Sequence, residues 1–204
     1  MAADWRDYEW AEEDWLFYGV CISVAAPGDV EGLISEIADV AVTERCDFDR
    51  LEQLGAGAPA TDGKAGDAIG LLQAGPGVVM VEPYGGLMEE EPFASPLSRT
   101  KDVVSYYIGG HGRGSFKWYA HGELRCAFDH DTPGSRRGSD PDSVLPLMEQ
   151  IGGFMPFDDD AEVPETVHTT GAVMALMESI SGIRVTYALL RDSEYSTALV
   201  RPQQ

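Results

Sequence analysis

Lys117 and Arg125 lie in the stretch Phe116 to Phe128 (FKWYAHGELRCAF), which reads as two short strands around a turn. Gly122 suits the left-handed position of a three-residue loop with a bulge. That register sets Tyr119 opposite Glu123, Trp118 opposite Leu124, Lys117 opposite Arg125 and Phe116 opposite Cys126. Phe116, Trp118, Leu124, Cys126 and Phe128 then share a core face, and Lys117, Tyr119, Glu123 and Arg125 share a polar one. Like charges directly across a strand pair destabilise it, so something acidic is expected between Lys117 and Arg125. It is either a carboxylate of this chain, such as Glu82 or Glu123, or a ligand carboxylate or phosphate, or a partner's acid. In the last two cases Tyr107 and Tyr119 stand beside it. Glu82 ends the apolar run Val78 to Val81, and alternation places it on the face of Val78 and Met80. A partly buried carboxylate there is a general acid or base, or else a structural partner for an Arg or a backbone N–H.

Other chemistries fit the residues poorly. Gly57 to Lys64 ends in Gly-Lys, but five residues separate the glycines where a P-loop needs four, and Ala65 replaces the magnesium-binding hydroxyl. Asp129, Asp131, Gly134 and Asp140 mimic the spacing of an EF-hand loop. Against that reading, Pro133 stands at a ligand position, Asp140 is short for the bidentate place, and a strand precedes the loop. Cys126 and His130 alternate onto one face without a second metal-ligand pair. No Ser or Cys has an evident His partner. No catalytic residue, metal ligand or cofactor is therefore assigned, and the reading leans away from an enzyme.

The 204 residues include 35 acids and 14 bases, a net charge of −21. Such a surface repels phosphate backbones and anionic membranes, so neither nucleic acid nor membrane is expected as a partner. The charge is uneven. Residues 1–15 sum to −5, whereas residues 101–138 carry six bases against four acids, net +2. Glu89-Glu90-Glu91 before Pro92 and Asp158-Asp159-Asp160 read as solvated acidic runs. The N-terminus lacks the basic and apolar pattern of a signal peptide. Cys21, Cys46 and Cys126 are widely spaced and suit a reducing cytoplasm.

Strands are expected at Leu16–Ala25, Ala68–Gln73, Val78–Glu82, Val103–Ile108, Ser115–Tyr119 and Glu123–Phe128, with a further candidate at Ser196–Val200. Helices are expected after Pro27-Gly28-Asp29, after Ser139-Asp140-Pro141, and from Pro164 to the cap at Gly182. Residues 1–15 form an acidic arm with three Trp, packed on the domain or docked on a partner. Residues 16–204 form one α+β domain, mainly an antiparallel sheet of about five to six strands with helices on one face.

Val81-Glu82-Pro83-Tyr84-Gly85, the run Phe116 to Phe128, Arg137-Gly138-Ser139-Asp140-Pro141-Asp142 and Ser181-Gly182-Ile183-Arg184 together resemble an actinobacterial family of uncharacterised proteins. The resemblance implies a fold and a cytoplasmic bacterial setting, and no activity.

The expected function is a non-enzymatic acidic protein-binding module for a basic partner, one form being an immunity or antitoxin protein. Its partner surface would be the arm with Glu89, Glu90, Glu91, Asp158, Asp159 and Asp160. The alternative is a small-ligand-binding protein or enzyme using the sheet face around Glu82, Tyr107, Lys117, Tyr119 and Arg125. Solubility alone also explains acidity in many bacterial proteins. Oligomeric state is not legible.

Overall fold

The structure, a computed structural model, describes residues 3–12, 19–37, 40–58, 67–109, 113–156 and 167–200, with the backbone alone at 40–43. Its strands are β1 (Val20–Ala26), β2 (Val40–Cys46), β3 (Asp67–Ala74), β4 (Gly77–Pro83), β5 (Asp102–Ile108), β6 (Gly114–Ala120), β7 (Glu123–Asp129) and β8 (Tyr195–Val200). They form one sheet in the order β2-β8-β3-β4-β1-β5-β6-β7. All seven neighbouring pairs are antiparallel. The helices are α1 (Val30–Glu36), α2 (Phe48–Gly55), α3 (Glu91–Leu97), α4 (Leu145–Ile151), α5 (Thr169–Ser181) and α6 (Tyr187–Arg191).

Two expectations are corrected. Among the described residues the sheet has eight strands, not five to six. Helices cover both faces, not one. On one face α2, α4 and α5 pack against Ile22, Val79, Tyr106, Phe116 and Phe128. On the other, Leu33 of α1 and Ala94 and Leu97 of α3 pack against Cys21, Met80 and Val103. The reason is visible in the central strands. All seven residues of β1 and all seven of β4 are buried, so apolar side chains leave both faces and both need cover. β2 escapes notice because it is a bulged edge strand. Its pairing with β8 shifts between Val42 and Arg45, and Glu44 and Arg45 break the apolar run.

Local signals set the helix ends. The Asp29 and Asp47 carboxylates accept the N–H groups of Gly32 (2.8 Å) and Arg50 (2.9 Å). Gly182 closes α5 in the left-handed region at φ 71°, and Ile183 beyond it is buried. A 3-10 helix, Trp5–Glu12, lies against α5. Trp5 stacks on His168 at 3.8 Å, Tyr8 donates to Glu178 at 2.7 Å, and Glu12 accepts the Gly171 N–H at 2.9 Å.

The β6–β7 register is also corrected. The loop is a two-residue turn of His121 (φ 56°) and Gly122 (φ 82°), joining Ala120 to its partner Glu123. The extra residue is Arg125 itself. Tyr119 faces Leu124 and Trp118 faces Cys126, leaving Arg125 as a bulge, while Lys117 faces Ala127. Lys117 and Arg125 are therefore not opposed, and Leu124 falls with Tyr119 on the α1–α3 face.

The Arg-Gly-Ser-Asp-Pro-Asp stretch covers the outer edge of β7, which would otherwise present unpaired backbone groups. Ala127 and Arg137 exchange N–H bonds at 2.7 and 2.9 Å, and the Ser139 and Asp140 N–H groups reach the carbonyls of Leu124 (2.9 Å) and Arg125 (3.0 Å). Gly138 sits at φ 137°, and a Cβ there would lie 2.3 Å from the Arg125 carbonyl oxygen. Gly138→Ala is expected to lower stability by about 2–4 kcal/mol, as strain at a special backbone position does. It should also speed amide exchange at Arg137, Ser139 and Asp140. Unchanged melting and exchange would show that the edge cover does not depend on this close approach.

Candidate functional site

The face covered by α1 and α3 carries a polar island. Period-two alternation delivers Glu82 from β4, Ser105 and Tyr107 from β5, and Ser115 and Lys117 from β6 to the same side. The chain then crosses this side from Pro83 to the start of α3, through a 3-10 turn at Leu87–Glu89. Two buried carboxylates hold the crossing down. Glu82 is 1% exposed, and its two oxygens accept the N–H groups of Leu87 (2.7 Å) and Met88 (3.1 Å). Glu89 turns inward from the crossing itself. It accepts from Ser105 at 2.9 Å and from Ser115, and pairs with Lys117 at 3.4 Å. Lys117 also donates to the Glu89 backbone carbonyl.

Burial dominates the electrostatics. It pushes the Glu82 carboxyl up to about 7, against the opposing pull of the Met88 and Leu87 N–H bonds. Burial, followed by the charges of Glu82 and Glu89, holds the Cys21 thiol well above its ordinary value. Cys21 is thus a buried thiol rather than a nucleophile.

Above the island lies an open cleft of about 410 Å³, lined by Asp67, Tyr84, Gly85, Gly86, Leu87, Glu89, Glu90, Tyr107 and Lys117. That volume falls at the small end of the range for ligand pockets, about 300–1,000 Å³. Tyr84 stands at its rim, 53% exposed, with φ at 60° in the left-handed region. Its N–H is tied to the Gly19 carbonyl at 2.7 Å. A second cleft of about 430 Å³ shares Tyr107 and runs past Arg113, Gly114, Ser115, Asp129, Asp131 and Thr132.

The structure thus gathers Glu82, Tyr107 and Lys117, and separates two other candidates from them. Tyr119 is buried with Ala94 and Leu97 of α3. Arg125 belongs to a different site, where it pairs with Asp140 at 2.6 Å and lies over the Trp118 ring at 5.4 Å. Of the acidic run at 89–91, Glu89 is buried, Glu90 is exposed, and Glu91 is exposed at the start of α3, so the run is not a solvated loop. Asp158, Asp159 and Asp160 lie outside the described residues.

Sequence reasoning overlooked Ser105, Ser115, Asp67 and the exposure of Tyr84. The last had a signal, because Pro83-Tyr84-Gly85-Gly86 is a turn-forming stretch after an apolar strand. It also missed a buried pair on the opposite face, Tyr106 hydroxyl to His130 Nδ1 at 2.5 Å. Gly114 is required there, since a Cβ would lie 2.5 Å from that same nitrogen. Among the described residues no helix is long and apolar enough to cross a membrane, and no group of three or more His, Cys, Asp or Glu is placed to hold a metal ion.

No curated protein and no solved structure matches the chain. Across residues 1–204 it matches the family of unknown function DUF6461, and to that family the chain belongs.

Proposed function

We propose that the chain is a non-enzymatic acidic protein-binding module that docks a basic partner in a bacterial cytoplasm, immunity or antitoxin pairing being one concrete form. One observation carries this reading. At least nine of the 14 basic side chains are already held by the chain's own acids, including Lys101 by Glu36, Lys117 by Glu89, Arg125 by Asp140 and Arg136 by Asp142. Four of the six bases of the locally basic segment 101–138 pair with acids outside it, and in the whole chain acids outnumber bases by 21. A field of that sign steers basic proteins toward the surface and repels nucleic acid.

Less supports the alternative of a small-ligand-binding protein or enzyme using the sheet face around Glu82, Lys117 and Arg125. The two cations occupy different sites, each with an internal carboxylate. Glu82 is 1% exposed, both its oxygens accept backbone N–H groups, and it is not among the residues that line the cleft.

Affinity purification from the native host at about 0.05 M and about 0.5 M salt tests the proposal, since screening at the higher salt suppresses surface electrostatics. A stoichiometric basic protein retained at low salt and released at high salt is expected. No salt-sensitive partner in either wash would overturn the reading.

A further inference from the structure

We infer that the Tyr84–Tyr107 cleft is the docking point for that partner and takes the guanidinium of one of its arginines. The inference rests on the acidic-module reading and gives it a place. Among the described residues, three carboxylates and one cation, Lys117, line the cleft, and Lys117 is paired with Glu89. Asp67 and Glu90 remain, both exposed and neither in an ion pair among the described residues. The described lining is thus net negative after internal pairing, which disfavours phosphate or carboxylate ligands and favours a cation.

Two aromatic rings line the same cleft. Tyr84 is one of only two large hydrophobic side chains that stand exposed among the described residues. Nothing in the core calls for an aromatic ring at that position, and its left-handed backbone would suit glycine better. Tyr107 is half-buried and flanked by glycines. A Cβ at Gly86 would lie 3.5 Å from the Tyr107 ring, and one at Gly109 would lie 3.1 Å from it. A side chain at Gly109 would press on the ring, whereas one at Gly86 would meet it at ordinary contact distance. A cation over a tyrosine face gains from the ring quadrupole. The guanidinium stacks flat on such a ring and presents a fork of donors to carboxylates, which an ammonium does not. Aromatic lining with Asp67 and Glu90 at the rim matches arginine on both counts.

The probe is N-acetyl-arginine amide, titrated against the full chain by ¹H–¹⁵N NMR, with neutral, isosteric N-acetyl-citrulline amide as its counterpart. Arginine amide is expected to saturate with a Kd in the millimolar range. Its shifts should centre on Gly85, Gly86 and Tyr107, and the citrulline compound should bind at least about tenfold more weakly. Asp67→Asn with Glu90→Gln should weaken arginine about tenfold, without loss of the folded spectrum. Tyr84→Gly suits the left-handed backbone, removes the ring, and should reduce partner recovery at low salt. Equal binding of citrulline, or shifts that map elsewhere, would overturn the site. A partner retained undiminished by Tyr84→Gly would overturn the docking point and leave the acidic-module reading standing. Arginine bound at the cleft with no protein retained at low salt would overturn that reading and leave the cation site.

Discussion

Glu82→Ala is expected to destabilise the protein by about 3–5 kcal/mol at pH 6, as measured by urea unfolding. The substitution leaves the Leu87 and Met88 N–H groups without their acceptor in a site where Glu82 is 1% exposed. An orphaned buried donor costs about 1–3 kcal/mol, and the lost side chain adds a cavity. Glu82→Gln should cost less, because the amide keeps shape and one acceptor oxygen. The pair of variants also exposes a pH dependence. The Glu82 carboxyl titrates near 4.5 when unperturbed and at about 7 in the fold. Between those values the folded state holds a proton that the unfolded state has released, so stability falls as pH rises. The contribution is fully present below about 4.5 and is lost through about 7. It amounts to roughly 3 kcal/mol over that window. Wild type should therefore lose about that much more stability than Glu82→Gln between pH 4.5 and 7.5. Parallel curves for the two proteins would show that Glu82 keeps its ordinary affinity for the proton.

Glu82 also illustrates what a sequence can and cannot announce. Its strand and its face were legible, because Val78 to Val81 is an apolar run and alternation assigns every second residue. What its oxygens hold was not legible, since Leu87 and Met88 reach it only through the fold of the crossing. The β6–β7 hairpin failed for a more local reason. His121 at φ 56° is a non-glycine in the left-handed region, so the glycine-only reading favoured a three-residue loop. A shift of one residue in the turn then moved Arg125 off Lys117 and moved Leu124 to the other face. Glu89 failed for the opposite reason. Three consecutive glutamates read as a solvated run in one dimension. The middle of a sheet supplies Ser105, Ser115 and Lys117 to one of them in three. The layers followed the same logic. Burial of β1 and β4 on both sides was written in their composition. Which helix covers which face is a long-range property that no local period records.

The Glu89–Lys117 pair should be worth more than a surface ion pair, and a double-mutant cycle separates the two cases. The side chains are 11% and 20% exposed, and Glu89 also binds two serine hydroxyls. Removing one member of a largely buried pair leaves the other charge without compensation. Glu89→Gln and Lys117→Met are each expected to cost about 2–3 kcal/mol. The double variant should cost about 1–2 kcal/mol less than their sum, because neither charge is then stranded. Arg45 and Glu194 provide the contrast, at 71% and 64% exposure. Their cycle should give a coupling of no more than about 0.5 kcal/mol, and that coupling should vanish at high salt. The sign of the Lys117 result is decisive by itself. A lysine opposed to Arg125 would raise the melting temperature when removed, whereas a lysine that neutralises Glu89 must lower it. Additive costs at Glu89 and Lys117 would mean that the crossing is held by hydrogen bonds alone. The cleft would then count Glu89 among its available acids, and the arginine it takes should bind less tightly when Glu89 is replaced by Gln.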